Sequence, residues 1–289
     1  MKTYAIAGVS GHTGKVAAEA LLAQKAKVRV IVRDAAKGKE WAARGAEVAV
    51  ADLGDSAALT IALTGVDAAF LLVPPNMTAE DSVAAQRQVA DHIAAAVKTS
   101  GVEHVVFLSS VGAQHAAGTG PIVVAHYAEE ILPKVAKNVT FIRAAYFMEN
   151  LAGSFAALAH GIYPTFLPKD YAFAMVATRD IGKLAASLLI EGGKGAQVVE
   201  LAAPKKYSIG DVAAIATKVL GKPIAAQAGP MSAMAETLQG YGFKPKMAQL
   251  YVEMNEGLIS GHVAMEGKGR QVDAPTTLED YLKEALPKA

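Results

Sequence analysis

Residues 4–14, Tyr4-Ala5-Ile6-Ala7-Gly8-Val9-Ser10-Gly11-His12-Thr13-Gly14, pass from an apolar run into a glycine-rich turn, and a helical pattern over 15–22 follows at once. The apolar run fits a buried parallel strand. Strand, turn and helix in direct succession form the setting that a dinucleotide fingerprint requires. Each glycine has its own task. Gly8 permits the tight turn, Gly11 lets a pyrophosphate approach the backbone, and Gly14 lets helix and strand lie close together. The free N–H groups at the helix start then face the phosphates. The spacing is G-x-x-G-x-x-G, where many dehydrogenases carry G-x-G-x-x-G.

The rest of the chain repeats the alternation. Strands are predicted at 28–32, 47–50, 67–73, 103–108 and 139–143, with helices at 38–45, after Asp55, and over 80–99 and 123–135. This pattern predicts an α/β fold, a doubly wound parallel Rossmann sheet. Beyond Ala144 the alternation loosens into aromatic residues, prolines and short helices. A helix at 179–190 and a strand at 197–201 return to the sheet, and further helices are predicted at 208–220, 231–239, 245–260 and 277–286. The expected organisation is a dinucleotide-binding domain over 1–145 and a smaller, mainly helical lobe over 146–289, with 178–201 rejoining the sheet. That lobe roofs the cleft at the strand ends, where such sheets bind ligands. The sequence contains no internal repeat, low-complexity tract or clear linker.

Composition narrows the function classes. With 289 residues, 52% hydrophobic, the chain can bury a full core. Lys+Arg 28 against Asp+Glu 27 leaves no basic excess for gripping nucleic acid. The absence of cysteine rules out disulfides, thiolate metal sites and a cysteine nucleophile. The histidines show no metal-ligand spacing, so no metal is expected. The chain enters its first strand too early for a cleavable signal, and no apolar run is long enough to span a bilayer. A cytoplasmic protein without membrane contact is expected, with homodimer formation left open.

The end of the second strand bears on which dinucleotide fits, because the residue there sits beside the adenosine ribose. Arg33 comes first and favours a 2′-phosphate, hence NADP(H), and Lys37 adds a second positive charge. In the competing reading Asp34 turns to the ribose and NAD is preferred. Asp52 either accepts from the adenine amino group or is the N-cap of the next helix. Short-chain dehydrogenases pair a tyrosine with a lysine four residues on, and none of the nine tyrosines has one. Tyr127 lies on the corresponding helix, but Ile131 occupies the fourth place. His126 shares that helix with Glu130 one turn later, and two readings stand. Either the imidazole serves the reaction, oriented by Glu130, or the two form an ordinary helix-face pair. Ser109 and Ser110 end the fifth strand, where they either touch a ligand or satisfy backbone groups. Asn76, Met77, Tyr146, Phe147, Asn150, Tyr163, Phe166 and Phe173 either wall an apolar pocket for a flat aromatic ligand or form interlobe core. Tyr146, Phe147 and Asn150 lie nearest the strand end and are the preferred pocket residues, with Asn76.

Taken together, the Gly8–Gly11–Gly14 turn, Arg33, Ser109-Ser110-Val111-Gly112-Ala113, His126-x-x-x-Glu130, Phe147-Met148-Glu149-Asn150-Leu151 and the tail Pro275-Thr276-Thr277-Leu278-Glu279-Asp280-Tyr281-Leu282 resemble the NmrA-like, atypical short-chain dehydrogenase/reductase family over essentially the whole chain. Within it, the pattern is most similar to type 2 NADPH:quinone oxidoreductases, and triphenylmethane dye reductases are also similar. The resemblance implies NADP(H) binding by the glycine turn and Arg33, with His126 near the nicotinamide ribose where many relatives place a lysine. The full set of expected cofactor contacts is Gly8, Ser10, Gly11, His12, Thr13, Gly14, Arg33, Asp52, Leu53, Val73, Pro74, Ser109 and His126. Two functions of different class follow. One is an oxidoreductase passing hydride from NADPH to a quinone-like conjugated acceptor, with His126 catalytic. The other is a non-catalytic NADP(H)-binding redox sensor acting through a protein partner.

Overall fold

The computed structural model describes residues 2–287. The first half runs β1 (Thr3–Ile6), α1 (His12–Ala23), β2 (Lys27–Val32), α2 (Ala35–Ala43), β3 (Glu47–Val50), α3 (Ser56–Leu63), β4 (Ala68–Leu71), α4 (Ser82–Ser100), β5 (His104–Ser110), α5 (Val123–Ile131) and β6 (Asn138–Ala144). The second half adds β7 (Tyr146–Phe147), a 3-10 run over Met148–His160, β8 (Ile162–Thr165), β9 (Met175–Val176), α6 (Thr178–Glu191), β10 (Ala196–Ala202), α7 (Ile209–Leu220), β11 (Ala225–Ala228), α8 (Met234–Gly240), α9 (Pro245–Ser260), β12 (Arg270–Asp273) and α10 (Leu278–Ala285).

Eight strands form one parallel sheet in the order β12-β10-β6-β5-β4-β1-β2-β3. Side chains alternate across the sheet, so neighbours such as Ala5 and Ile6 feed opposite cores. Ile6, Val30, Phe70, Val106, Ile142 and Val199 pack under Leu21 of α1 and Ile181, Ala185 and Leu188 of α6. Ala5, Ile31, Leu71, Val105, Phe107 and Phe141 pack under α3, α4 and α5 through Leu59, Ile93, Val97 and Ala128. Phe70 and Phe107 are fully buried, each a contribution of about 1.5–3 kcal/mol from burial.

The sheet gains one strand beyond the sequence expectation, because β12 pairs with β10 from Val199↔Arg270 to Ala202↔Asp273. The later half is also less purely helical than expected. It carries the two-stranded pairs β8–β11 and β7–β9 around a third core of Met148, Leu151, Tyr163, Phe173, Val212, Leu278 and Leu282. Helix α9 lies over the ends of β5 and β6. Gly120, at φ +59°, has no room for a side chain, since a Cβ there would lie 2.0 Å from the Leu250 carbonyl.

Candidate active site

The strand order reverses between β1 and β4, and a crevice opens outside the carboxyl ends of such strands. The glycine turn lies there. Gly8 adopts φ +70° and its carbonyl accepts the Gly11 N–H at 2.9 Å. Gly14 is fixed by packing, because a Cβ would lie 2.3 Å from the Ala7 carbonyl oxygen. Gly11 is exposed, and a Cβ would meet nothing closer than the Gly8 oxygen at 3.4 Å. The fold itself therefore needs Gly8 and Gly14, whereas nothing in the packing requires Gly11. Helix α1 begins at Gly11 with no side-chain cap and no acid in its first turn, so its leading N–H groups suit an anion. Ser10 and His12 are exposed beside it, while Thr13 is buried.

At the end of β2, Arg33 and Lys37 are exposed. Asp34 is committed elsewhere: its carboxylate caps α2, accepting the Ala36 N–H at 2.8 Å. After β3, the N-cap of α3 is Asp55, which accepts from Ala57 and Ala58 at 3.0 Å each. Asp52 is not that cap. Its Oδ1 accepts the Gly54 N–H at 2.7 Å in a local turn. Leu53 and Val73 are half-buried and Pro74 is exposed. The Asn76 side-chain oxygen closes a turn with Thr78 and Ala79. This segment is tied to the start of α9 by the ion pairs Lys244–Glu80 and Lys246–Asp81.

On α5, the His126 Nδ1 lies 2.8 Å from the Ala113 carbonyl, while Glu130 is 3.8 Å from Nε2, beyond hydrogen-bond reach. The orienting group is therefore the Ala113 carbonyl, which the sequence did not reveal, and not Glu130. A carbonyl only accepts, so Nδ1 carries the proton and Nε2 is the nitrogen left for chemistry. Tyr127 faces away from the cleft, donating to Asp91 at 2.7 Å with the Arg87 guanidinium over its ring. Ser109 is buried and its hydroxyl donates to the Glu129 carboxylate at 2.6 Å, not to a backbone group at the strand end. Glu129 also takes a two-pronged contact from Arg143, whose third bond reaches Glu266 at 2.7 Å. This buried network ties α5 to the sheet and to the loop before β12. Burial tends to discharge Arg143, but the two carboxylates outweigh it and hold the guanidinium ionised.

Tyr146 and Phe147 are half-buried at the end of β6, and Tyr146 meets Phe173 edge-on at 5.2 Å between centroids. Phe173 stacks with Tyr171, whose hydroxyl donates to the Leu258 carbonyl on α9. Tyr163 and Phe173 themselves are core. Asn150 is exposed, and its neighbour Glu149 accepts from the backbone N–H and hydroxyl of Thr178 at the start of α6. Surface concavities of about 360 and 490 Å³ lie elsewhere, beside the C-terminal end of α6 and along edge strand β3. The site is therefore assigned from topology and side-chain chemistry. Among the described residues, no group of three or more His, Cys, Asp or Glu could hold a metal ion, and no helix is long and apolar enough to cross a membrane.

The chain is 29% identical over 253 residues to the NAD(P)H azoreductase of Xenophilus azovorans, covering 85% of each. It is 28% identical over 281 residues to quinone oxidoreductase 2 of Escherichia coli K12, covering 94% of each. The E. coli NADPH-dependent quinone oxidoreductase solved with NADPH superposes at a TM-score of 0.82, with 27% identity over 97% of this chain and 99% of that one. Triphenylmethane reductase of Citrobacter sp., solved with NADP(H), shares the fold at a TM-score of 0.84 and 20% identity, covering 98% of this chain and 100% of that one. These relatives are NAD(P)H-dependent reductases. The profile of the NmrA-like family matches residues 1–282, and the chain belongs to that family.

Proposed function

We propose that this protein is an NADPH-dependent reductase that passes hydride to a quinone or a similar conjugated aromatic acceptor. The observation that carries the reading is the division of labour along the strand ends. An uncapped glycine turn sits at the switch point, exposed cations lie beyond β2, and a half-buried aromatic wall follows β6. In this reading residues 1–145 carry the dinucleotide and 146–289 shape the acceptor side, with 178–201 rejoining the sheet.

Gly8, Ser10, Gly11, His12, Thr13 and Gly14 would hold the pyrophosphate, and Arg33 with Lys37 the 2′-phosphate. Asp52 and Leu53 would face the adenine, and Val73, Pro74 and His126 the nicotinamide half. Asp34, spent as a helix cap, leaves Arg33 without a competing carboxylate for the ribose. When bound, NADPH supplies a hydride, which with one proton converts a quinone into a hydroquinone and leaves NADP⁺. His126 would hold or deliver that proton at Nε2, since Nδ1 is tied to Ala113. Tyr146, Phe147, Asn76 and Asn150 would bound the acceptor. A conjugated acceptor spreads the incoming charge over its π-system, so it needs less from a protein acid than an isolated ketone does. A site without the tyrosine–lysine pair therefore suffices.

The test is NADPH oxidation followed against a panel of quinones, azo dyes and triphenylmethane dyes, with NADPH binding measured separately by calorimetry. Turnover with a quinone supports the reading. Tight NADPH binding without turnover on any acceptor replaces it with the sensor function.

A further inference from the structure

Three tyrosines of this half of the sheet and of the second lobe commit their hydroxyls, Tyr127 to Asp91, Tyr163 to the Leu151 carbonyl and Tyr171 to the Leu258 carbonyl. Tyr146 and Tyr251 do not. Among the described residues neither hydroxyl has a protein partner, and neither oxygen is sealed from solvent. Tyr251 lies one turn before Met254 and two before Leu258 on α9, on the same helix face. Met254 and Leu258 pack with Tyr146, Ala113 and Ile122 above the ends of β5 and β6. Ala113 also supplies the carbonyl that orients His126. The Tyr146 ring is braced edge-on by Phe173, and the Tyr251 ring edge-on by Phe243 at 5.4 Å. One phenol thus belongs to the wall and the other to the roof of the same cleft, each on a braced ring.

We propose that Tyr146 and Tyr251 are paired hydrogen-bond donors to the acceptor, which makes the site selective for neutral conjugated acceptors presenting a carbonyl oxygen or azo nitrogen over cationic triarylmethyl acceptors. This rests on the reductase reading above. Burial pushes both phenols up, Tyr146 to about 12, so each remains O–H at neutral pH and donates without losing its proton. Held in an apolar enclosure, such donors act most strongly where negative charge develops, on the heteroatom of the acceptor as hydride arrives. A triarylmethyl cation offers no such atom at its reacting carbon and gains nothing from them. The phenols exchange no atoms, so the hydride and proton balance of the reduction is unchanged.

The experiment compares the full-length parent with Tyr146→Phe and Tyr251→Phe, which keep the rings and their packing. Binding of 2-methyl-1,4-naphthoquinone without NADPH is measured by calorimetry, and kcat/KM is measured for that quinone and for crystal violet. Each variant should weaken quinone binding by roughly 3- to 10-fold, the scale of one neutral hydrogen bond. The loss in kcat/KM should be at least as large for the quinone and clearly smaller for crystal violet, with NADPH affinity unaffected. If the parent binds and reduces the quinone and both variants match it, the phenols are not donors and the reductase reading stands alone. Equal losses for quinone and crystal violet would also overturn the donor role, as would a parent that reduces only the cationic dye. A parent that binds NADPH but reduces nothing removes the reductase reading and this inference with it.

Discussion

The paired substitutions Gly14→Ala and Gly11→Ala should separate scaffold from site within one turn. At Gly14 a Cβ would sit 2.3 Å from the Ala7 oxygen, 2.5 Å from the Gly8 carbonyl carbon and 2.6 Å from its oxygen. All three are backbone atoms, so no rotamer change relieves the overlap, and α1 must back away from β1. Overpacking of this kind costs about 1–3 kcal/mol, and a backbone clash belongs at the upper end. The better helix propensity of alanine returns about 1 kcal/mol, leaving a net loss of about 2 kcal/mol. For a chain of this size that corresponds to a fall in Tm of roughly 3–4 °C. At Gly11 the backbone is extended, φ −106°, and the nearest atom is 3.4 Å from the added Cβ. Stability should change by less than about 0.5 kcal/mol, while NADPH affinity falls by at least about tenfold, or 1.4 kcal/mol. Thermal denaturation without cofactor and calorimetric titration with NADPH read the two effects separately. A Gly14→Ala protein with parental Tm, or a Gly11→Ala protein with parental affinity, would refute the division.

Arg33→Ala should weaken NADPH binding by about 1.5–3 kcal/mol, the range for a charge-assisted bond, and leave NADH nearly untouched. Equal losses in titration calorimetry would make Arg33 structural. Glu129→Ala leaves the buried Arg143 with Glu266 alone, and should cost about 3 kcal/mol in denaturant unfolding, the lower end for a broken buried pair. A cost below about 1 kcal/mol would mean that the network is not holding α5. His104 is buried with Nε2 bonded to Thr140 at 3.0 Å and Nδ1 without a partner among the described residues, and burial lowers its pKa from the usual 6.5. The unfolded chain therefore takes up the proton first, so this contribution to stability is full above about pH 6.5 and fades as pH falls toward the folded value. His104→Leu should flatten the dependence of Tm on pH between about pH 7.5 and 5, and an unchanged slope would rule the group out.

How much of this was legible in the sequence depended on the range of the interactions. The glycine turn and the uncapped start of α1 are local, and residues 4–22 alone announce them. Strand β12 was not legible, because Arg-Gln-Val-Asp is largely polar and becomes a strand only as an edge partner of β10. The β8–β11 pair hid for a similar reason, with Pro164 in one strand and the alanine-rich Ala-Ala-Gln-Ala in the other. Asp52 and Asp55 are both plausible caps by composition, and only the backbone course shows that Asp55 is used. The Ser109–Glu129 bond was not legible, because the two residues lie 20 positions apart. Arg143 read only as a strand end, since one carboxylate that holds it lies 123 positions on. Tyr251 gave no local sign at all. It gains meaning only when α9 is laid over the end of β6.

The central claim, hydride transfer supported by His126, is tested most directly by NADPH oxidation with a quinone for the parent and for His126→Ala, with NADPH binding measured beside it. If the imidazole supplies the proton, the substitution should lower kcat by roughly 10²–10⁴-fold, the range for a positioned general acid. NADPH affinity should hardly change. A variant that keeps the parental kcat but loses NADPH affinity would contradict the claim and leave His126 as a cofactor contact.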